Sequence, residues 1–194
     1  MKYRTPLALV GAVALAGCGL NSVPTAEENA KAKWADVENY YQRRADLIPN
    51  LVSTVKAAGA QEKSILVEVT QARASASQVK VSGADLSDPA KVASYEKAQA
   101  GVTMSLQRLQ EAYPELKSQG NYTNLMTQLE GTENRISTAR HDYNDAVQSY
   151  NTTIRTFPDA IGAKVFYGAK PLVPFKATSA GAEEAPSVNF GNTN

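Results

Sequence analysis

Residues 121–157 carry the feature that most constrains the fold, an apolar or small residue at every third or fourth position. The spacing holds for about ten steps and is typical of the buried stripe of one amphipathic helix, close to a coiled-coil seam. At ~1.5 Å per residue this helix would be roughly 55 Å long. A helix of this length cannot bury its stripe alone, so the rest of the chain must supply partners. The stripe consists of Tyr122, Leu125, Leu129, Thr132, Ile136, Ala139, Tyr143, Val147, Tyr150, Ile154 and Phe157.

Both ends of this helix have sequence signals. Asn121 is the predicted N-cap, because a side-chain amide oxygen can accept from the free N–H groups of the first turn. Pro158 predicts an end near Phe157, since the residue before a proline avoids the α region.

The overall composition favours a helical bundle and argues against nucleic-acid binding. The 194 residues carry 20 Lys and Arg against 19 Asp and Glu, a formal net charge of +1, so no basic footprint for a nucleic-acid partner is present. Much of the apolar content is alanine, the strongest helix former. The single Cys and single His exclude an internal disulfide and a His-rich metal cage, and no cofactor is expected.

The first residues have the anatomy of a bacterial lipoprotein signal. Lys2 and Arg4 precede an apolar run of about ten residues, which is too short to span a bilayer. The run ends in Leu15-Ala16-Gly17-Cys18, the pattern of a lipobox. We therefore interpret residues 1–17 as a signal peptide and 18–26 as a tether lipidated at Cys18. The lipid would hold the chain on a membrane, with the folded domain outside the cytoplasm. A plain signal or a short anchor with an incidental cysteine is the alternative.

A second helical stripe is predicted from about residue 27 to residue 58, with Trp34, Val37, Tyr41, Ala45, Ile48, Val52 and Val55 on one face. Thr25 and Glu28 fit a capping box at its start. Pro49 lies inside the pattern and should break or kink the helix, because proline lacks the N–H donor and clashes with the carbonyl four residues earlier.

Several motifs resemble the LemA family: RRADLIPNLV (43–52), VTQARA (69–74), Tyr113-Pro114, LEGTENRISTARHDYNDAVQSYN (129–151), Phe157-Pro158 and APSVNF (185–190). The resemblance implies a bundle of long antiparallel helices in a membrane-tethered bacterial protein. Many members of that family carry an N-terminal membrane-spanning helix, and this sequence departs from them by its lipobox.

The remaining segments complete an all-α architecture, with a helical bundle over residues 27–168. Segments 61–79 and 90–112 are predicted helices, interpreted as two halves of one antiparallel strut around a break at 81–89. Ser87 or Asp88 caps the second of them. Residues 159–168 are predicted to form a short C-terminal helix that docks through Ile161, Val165 and Phe166. Residues 169–194 are predicted to be extended or disordered, with an extended PLVPF at 171–175.

Two polar clusters are candidate sites. Arg44 and Glu133 each lie beside an apolar stripe, so we predict that they pair across the helix interface and set its register, because an unpaired buried charge would cost several kcal/mol. The alternatives are a ligand site at the Pro49 kink and a solvated charged face. One cluster comprises Arg43, Arg44, Asp46, Pro49 and Asn50, and the other Glu130, Glu133, Asn134, Arg135 and Arg140.

A Tyr-Asn pair repeats at a spacing of seven, as Tyr143-Asn144 and Tyr150-Asn151. We predict that both tyrosines are core residues with hydroxyls that reach the interface, and a partner-binding surface is the alternative. His141 lacks a glutamate three residues before it and a second histidine, so neither a bundle metal site nor a catalytic triad is indicated.

Together these patterns predict a non-enzymatic envelope lipoprotein that acts as a tethered scaffold or interaction module with a protein partner. A sensor or small-molecule-binding module that uses the polar kink around Pro49 is the alternative.

Overall fold

The computed structural model describes the backbone of residues 4–59 and 62–176, and side chains from residue 21 onward. The predicted signal peptidase site, the Cys18 side chain, and the tail beyond residue 176 with its APSVNF motif lie outside what is described. In this part of the chain all regular structure is helical, which confirms the predicted all-α class.

Four long helices form an up-down-up-down bundle within the described residues: α1 (Arg4–Ala57), α2 (Lys63–Gln78), α3 (Pro89–Ala112) and α4 (Gly120–Thr153). Their antiparallel order is fixed by cross-contacts, since Arg44 on α1 meets Glu133 on α4 while Lys33 meets Asp142. In the same way, Arg108 on α3 meets Glu68 on α2, while the Tyr113 hydroxyl after α3 donates to the carbonyl of Glu62 before α2. A 3-10 turn (Gly83–Ser87) lies between α2 and α3, and another (Pro114–Ser118) lies between α3 and α4. Helix α5 (Asp159–Gly162) and a π-helical turn (Ala163–Tyr167) follow α4.

The sequence stripes are the buried faces, as predicted. On α1, Trp34, Val37 and Ile48 are buried, and on α4 so are Ile136 and Tyr143. Asp88 caps α3 as expected, because its carboxylate accepts from the amides of Ala90 and Lys91.

Helix α1 starts earlier than predicted. Residues 21–26, predicted as part of a tether, are helical and Val23 is fully buried in the core. The Thr25 hydroxyl does not cap a helix start but donates to the carbonyl of Asn21 at 2.6 Å, and Glu28 pairs with Lys31 instead. The burial of Val23 favours continued helix over the local capping signal.

Helix α4 differs from the prediction at both ends. Its N-cap is Gln119 rather than Asn121, and it ends at Thr153 rather than near Phe157. The β-branched residues Thr152 to Ile154 lower helix propensity, and Pro158 leaves the carbonyl four residues before it without a donor. Phe157, the last residue of the predicted stripe, is consequently exposed.

The core consists of two apolar clusters, one at each end of the bundle. The far cluster, at the end of the bundle where α1 finishes, is built from α1, α2, α3 and α4 around Leu51, Val69 and Leu109. The near cluster lies at the opposite end, which α2 is too short to reach. The place of α2 is taken there by the 79–88 connection and by a second segment, residues 171–176. We call residues 171–176 the strap. Leu86, Leu172 and Phe175 fill this space. The segment predicted as the extended start of the tail therefore packs on the bundle as far as residue 176.

Candidate functional site

A polar layer separates the two apolar clusters at mid-bundle. Arg44 lies at its centre with 1% of its surface exposed. Its Nη1 donates to Glu133 Oε1 at 2.7 Å and to Thr103 Oγ1 at 2.8 Å. Its Nη2 donates to the backbone oxygen and side-chain oxygen of Gln99, at 3.0 and 2.7 Å. The Arg44–Glu133 contact expected from the stripes is therefore formed, and Gln99 and Thr103 are partners that sequence reasoning missed.

The electrostatics of this layer suit a structural cation. The Arg44 guanidinium lies 4.9 Å from the centre of the Tyr41 ring, so a π-face covers part of the charge. Burial raises the pKa of the Tyr41 hydroxyl, and the nearby Arg140 and Arg44 charges oppose that rise. Since Arg44 joins α1, α3 and α4, a shift in the register of any of these helices would leave buried donors unpaired.

The rest of the predicted α1 cluster does not join Arg44. Arg43, Asp46 and Asn50 are exposed, and Asp46 accepts from Gln42 at 2.7 Å on the helix surface. Asn134 on α4 is also exposed. Sequence proximity grouped these residues, but helical geometry directs them away from the polar layer.

Pro49 lies inside α1, which continues through it rather than breaking. Because proline has no N–H, the carbonyl of Ala45 loses its usual partner within the helix. Arg73 on α2 supplies the missing bond, since its Nε donates to Ala45 O at 2.7 Å. The exposed proline thus creates a docking point for a second helix. Sequence reasoning predicted a local requirement at Pro49 but not Arg73, and the unpaired carbonyl four residues earlier was the usable signal.

A double-mutant cycle tests this link. Arg73→Met should lower the free energy of unfolding by about 1–2 kcal/mol, because it leaves the Ala45 carbonyl without its donor. In the Pro49→Ala background the new N–H restores the helix bond, so Arg73→Met should cost much less. Urea unfolding of the four proteins measures the coupling, and equal costs in both backgrounds would contradict the link.

The repeated asparagines hold the strap. The side-chain amide of Asn144 pairs with the backbone of Phe175, with distances of 2.8 and 3.1 Å. Asn151 pairs in the same two-bonded way with the backbone of Leu172, at 2.9 Å in each direction. Seven residues of helix rise ~10.5 Å, and three residues of extended chain span ~10 Å. The heptad spacing therefore matches a three-residue step of the strap, which runs antiparallel to α4.

Aromatic rings enclose the end of the strap. Phe175 stacks on Trp34 with ring centres 5.3 Å apart and meets Tyr143 edge-on at 5.4 Å. The Arg140 guanidinium carbon lies 4.7 Å from the centre of the Phe175 ring, and this side chain also donates to the carbonyl of Lys176 at 2.8 Å. Glu96, which sequence reasoning missed, accepts from the Lys176 amide at 2.9 Å.

The tyrosines of the repeat are core residues, as predicted. The Tyr143 hydroxyl donates to the carbonyl of Val173 at 3.0 Å, and Tyr150 is buried beside it on α4. Burial raises the pKa of Tyr143, with a smaller contribution from Glu96, so the hydroxyl stays protonated as a donor.

Tyr122 offers a matched contrast. Its hydroxyl is buried with no hydrogen-bond partner among the described residues, whereas that of Tyr143 is bonded. Tyr122→Phe should therefore leave the free energy of unfolding unchanged or raise it by about 1 kcal/mol, and Tyr143→Phe should lower it by about 1 kcal/mol. Urea unfolding measures both, and a larger loss in Tyr122→Phe would contradict the assignment.

Two clefts flank the polar layer. One, of about 370 Å³, is open to solvent and lined by groups that include Glu38, Gln42, Arg73 and Gln99. The other, of about 210 Å³, includes Glu96, Glu133 and Arg140 in its walls. Pro49 lines neither cleft.

The part of the chain that the structure describes lacks two features. No group of three or more His, Cys, Asp or Glu side chains there could hold a metal ion. None of the helices in that part of the chain is both long and apolar enough to cross a membrane.

The fold and the polar layer place the chain among antiparallel helical bundles that hold a buried arginine at mid-bundle. The model of the LemA family matches residues 33–190, and the chain belongs to this family. LemA family proteins are membrane-associated.

Curated relatives include magnetosome proteins. The chain is 30% identical over 171 residues to magnetosome proteins MamQ 1 and MamQ 2 of Paramagnetospirillum magneticum, covering 78% of this chain and 63% of each relative. It is 28% identical over 157 residues to magnetosome protein MamQ of Magnetospirillum gryphiswaldense, covering 71% of this chain and 58% of the relative. The chain thus spans less than two thirds of the length of these relatives.

Proposed function

We propose that this chain is a lipid-anchored lipoprotein of the bacterial envelope that works as a non-enzymatic scaffold or interaction module. The observation that carries the proposal is the use of its polar side chains. Arg44 makes four hydrogen bonds within the bundle, and Asn144 and Asn151 are each bonded twice to the strap. These residues hold helices and backbone together rather than present reactive groups to a substrate.

The start of the chain supports the lipid anchor. The Leu15-Ala16-Gly17-Cys18 pattern follows a basic start and an apolar run, and membrane association is a property of the family. Acyl chains on Cys18 would each contribute ~0.8 kcal/mol per buried CH₂, so two chains give stable anchoring. Val23, only five residues later, is already in the core, which would hold the bundle close to the membrane.

Crosslinking in intact cells tests the interaction role. The tagged full chain is treated with a crosslinker, captured and analysed by mass spectrometry, with Cys18→Ser as the untethered control. We expect one envelope protein to be captured reproducibly and to be lost in the control. Capture of the same proteins by both versions would contradict a tethered interaction module.

A second candidate, ligand binding, is favoured by the open cleft beside Arg73. It carries acidic, basic and amide groups within about 370 Å³, which suits a small zwitterionic or polar molecule. Thermal-shift screening of the full chain against amino acids and other zwitterions would show a rise in Tm that is lost in Gln42→Ala. An unchanged Tm throughout would exclude these classes.

A further inference from the structure

The segment after α4 exposes several large apolar side chains. Residues 159–168 were predicted to dock on the bundle through Ile161, Val165 and Phe166, and this prediction was wrong, because all three side chains are exposed to solvent. With Phe157 they form what we call the terminal patch, in which each side chain is between 57 and 78% exposed. Five of the seven large apolar side chains that are exposed in the described chain lie between residues 157 and 167. Exposed apolar side chains concentrated in one short segment indicate an interaction site, whereas single scattered ones are ordinary on a protein surface.

The terminal patch lies at the end of the bundle where α1 enters. Asp159, at the start of α5, accepts a hydrogen bond from the Ser22 hydroxyl at 2.6 Å. Ser22 is four residues after Cys18, a rise of ~6 Å along a helix. The patch is therefore beside the part of the chain that would carry the lipid.

The charge around the patch suits a phospholipid surface. Arg155, Lys164 and Lys170 are exposed in the same segment, while its one acidic residue, Asp159, is bonded to Ser22. Exposed aromatic and aliphatic side chains flanked by basic groups are typical of segments that lie in the headgroup region of an anionic bilayer.

We propose that the terminal patch inserts into the bilayer interface next to the N-terminal lipid and holds the bundle in one orientation on the membrane. This inference rests on the proposed lipid anchor, since the anchor brings the patch to the surface. The bilayer would then be contacted at two points, the acyl chains of Cys18 and the side chains around Phe166. Two contacts restrict rotation of the bundle about its tether, which a single flexible lipid contact does not.

Tryptophan quenching in vesicles tests the inference. The full lipid-bearing chain is purified from membranes and reconstituted into phosphatidylethanolamine–phosphatidylglycerol vesicles with or without brominated acyl chains. Phe166→Trp places a probe in the patch, and Met104→Trp on α3, also an exposed apolar position, is the matched control. Trp34 is buried and gives a constant background that the parent protein measures.

We expect the Phe166→Trp probe to shift to shorter wavelength and to be quenched several-fold more strongly than the Met104→Trp probe. Lys164→Glu should reduce this quenching in anionic vesicles. Equal quenching of the two probes in protein that floats with vesicles would overturn the inference and leave the anchor intact. A blue shift without quenching would mean that protein covers the patch, which also overturns it. Protein that does not float would overturn the proposed anchor together with the inference that rests on it.

Discussion

Arg44→Ala should lower the free energy of unfolding by about 3–5 kcal/mol, because it truncates a buried side chain that makes four hydrogen bonds. The guanidinium is almost fully buried, and its loss leaves the Gln99 side chain and Thr103 without their donor in the polar layer. The truncation also leaves a cavity between the two apolar clusters, and the long helices that line it cannot easily move in to fill it. Urea unfolding followed by far-UV circular dichroism measures the change.

Glu133→Gln is the matched control for this prediction. The Glu133 side chain is 36% exposed, so water already solvates part of its charge. The glutamine oxygen can still accept from Arg44, and the expected loss is about 1 kcal/mol. Arg44→Met combined with Glu133→Gln should recover part of the stability lost in Arg44→Ala, because methionine fills the space and no carboxylate remains unpaired. If Arg44→Ala cost no more than Glu133→Gln, the polar layer would not be what fixes the register.

Phe175→Ala should cost about 3–5 kcal/mol, the usual range for a buried phenylalanine. Phe175 is buried against Trp34 and Tyr143, although it lies outside the long helices. Because the strap occupies the place that α2 leaves open, its loss would expose the near cluster to water. Thermal unfolding measures the loss, and hydrogen exchange at the Leu172 and Phe175 amides should accelerate in the variant.

Phe166→Ala is the corresponding control at an exposed position. Phe166 is 68% exposed, so its truncation should change stability by no more than about 0.5 kcal/mol. Similar effects of Phe175→Ala and Phe166→Ala would mean that the strap adds little to the fold and is a loose tail after all.

The helices were predictable because their signal is local and periodic. The stripe from Tyr122 to Tyr150 depends only on spacing along one segment, and the cap at Asp88 depends on its neighbours in sequence. The start of α1 was not predictable in the same way, since the capping signal at Thr25 competes with the burial of Val23, which only tertiary packing determines.

The candidate site was predictable in part for a similar reason. The Arg44–Glu133 pair follows from two stripes that must face each other. Arg73 and Glu96 were missed because each binds a backbone group on a segment distant in sequence. Arg73 donates to the carbonyl of Ala45, and Glu96 accepts from the amide of Lys176. The function of the repeated asparagines was also hidden, because a heptad pair does not show which extended segment it holds.

The N-terminus of the mature protein tests the central claim most directly. Intact-protein and peptide mass spectrometry of the chain purified from membranes should find Cys18 as the first residue, carrying a thioether-linked diacylglycerol, and Cys18→Ser should lose both the modification and membrane retention. A mature chain that begins elsewhere, or that carries an unmodified Cys18 in the membrane fraction, would contradict the account of this LemA family member as a lipid-tethered module.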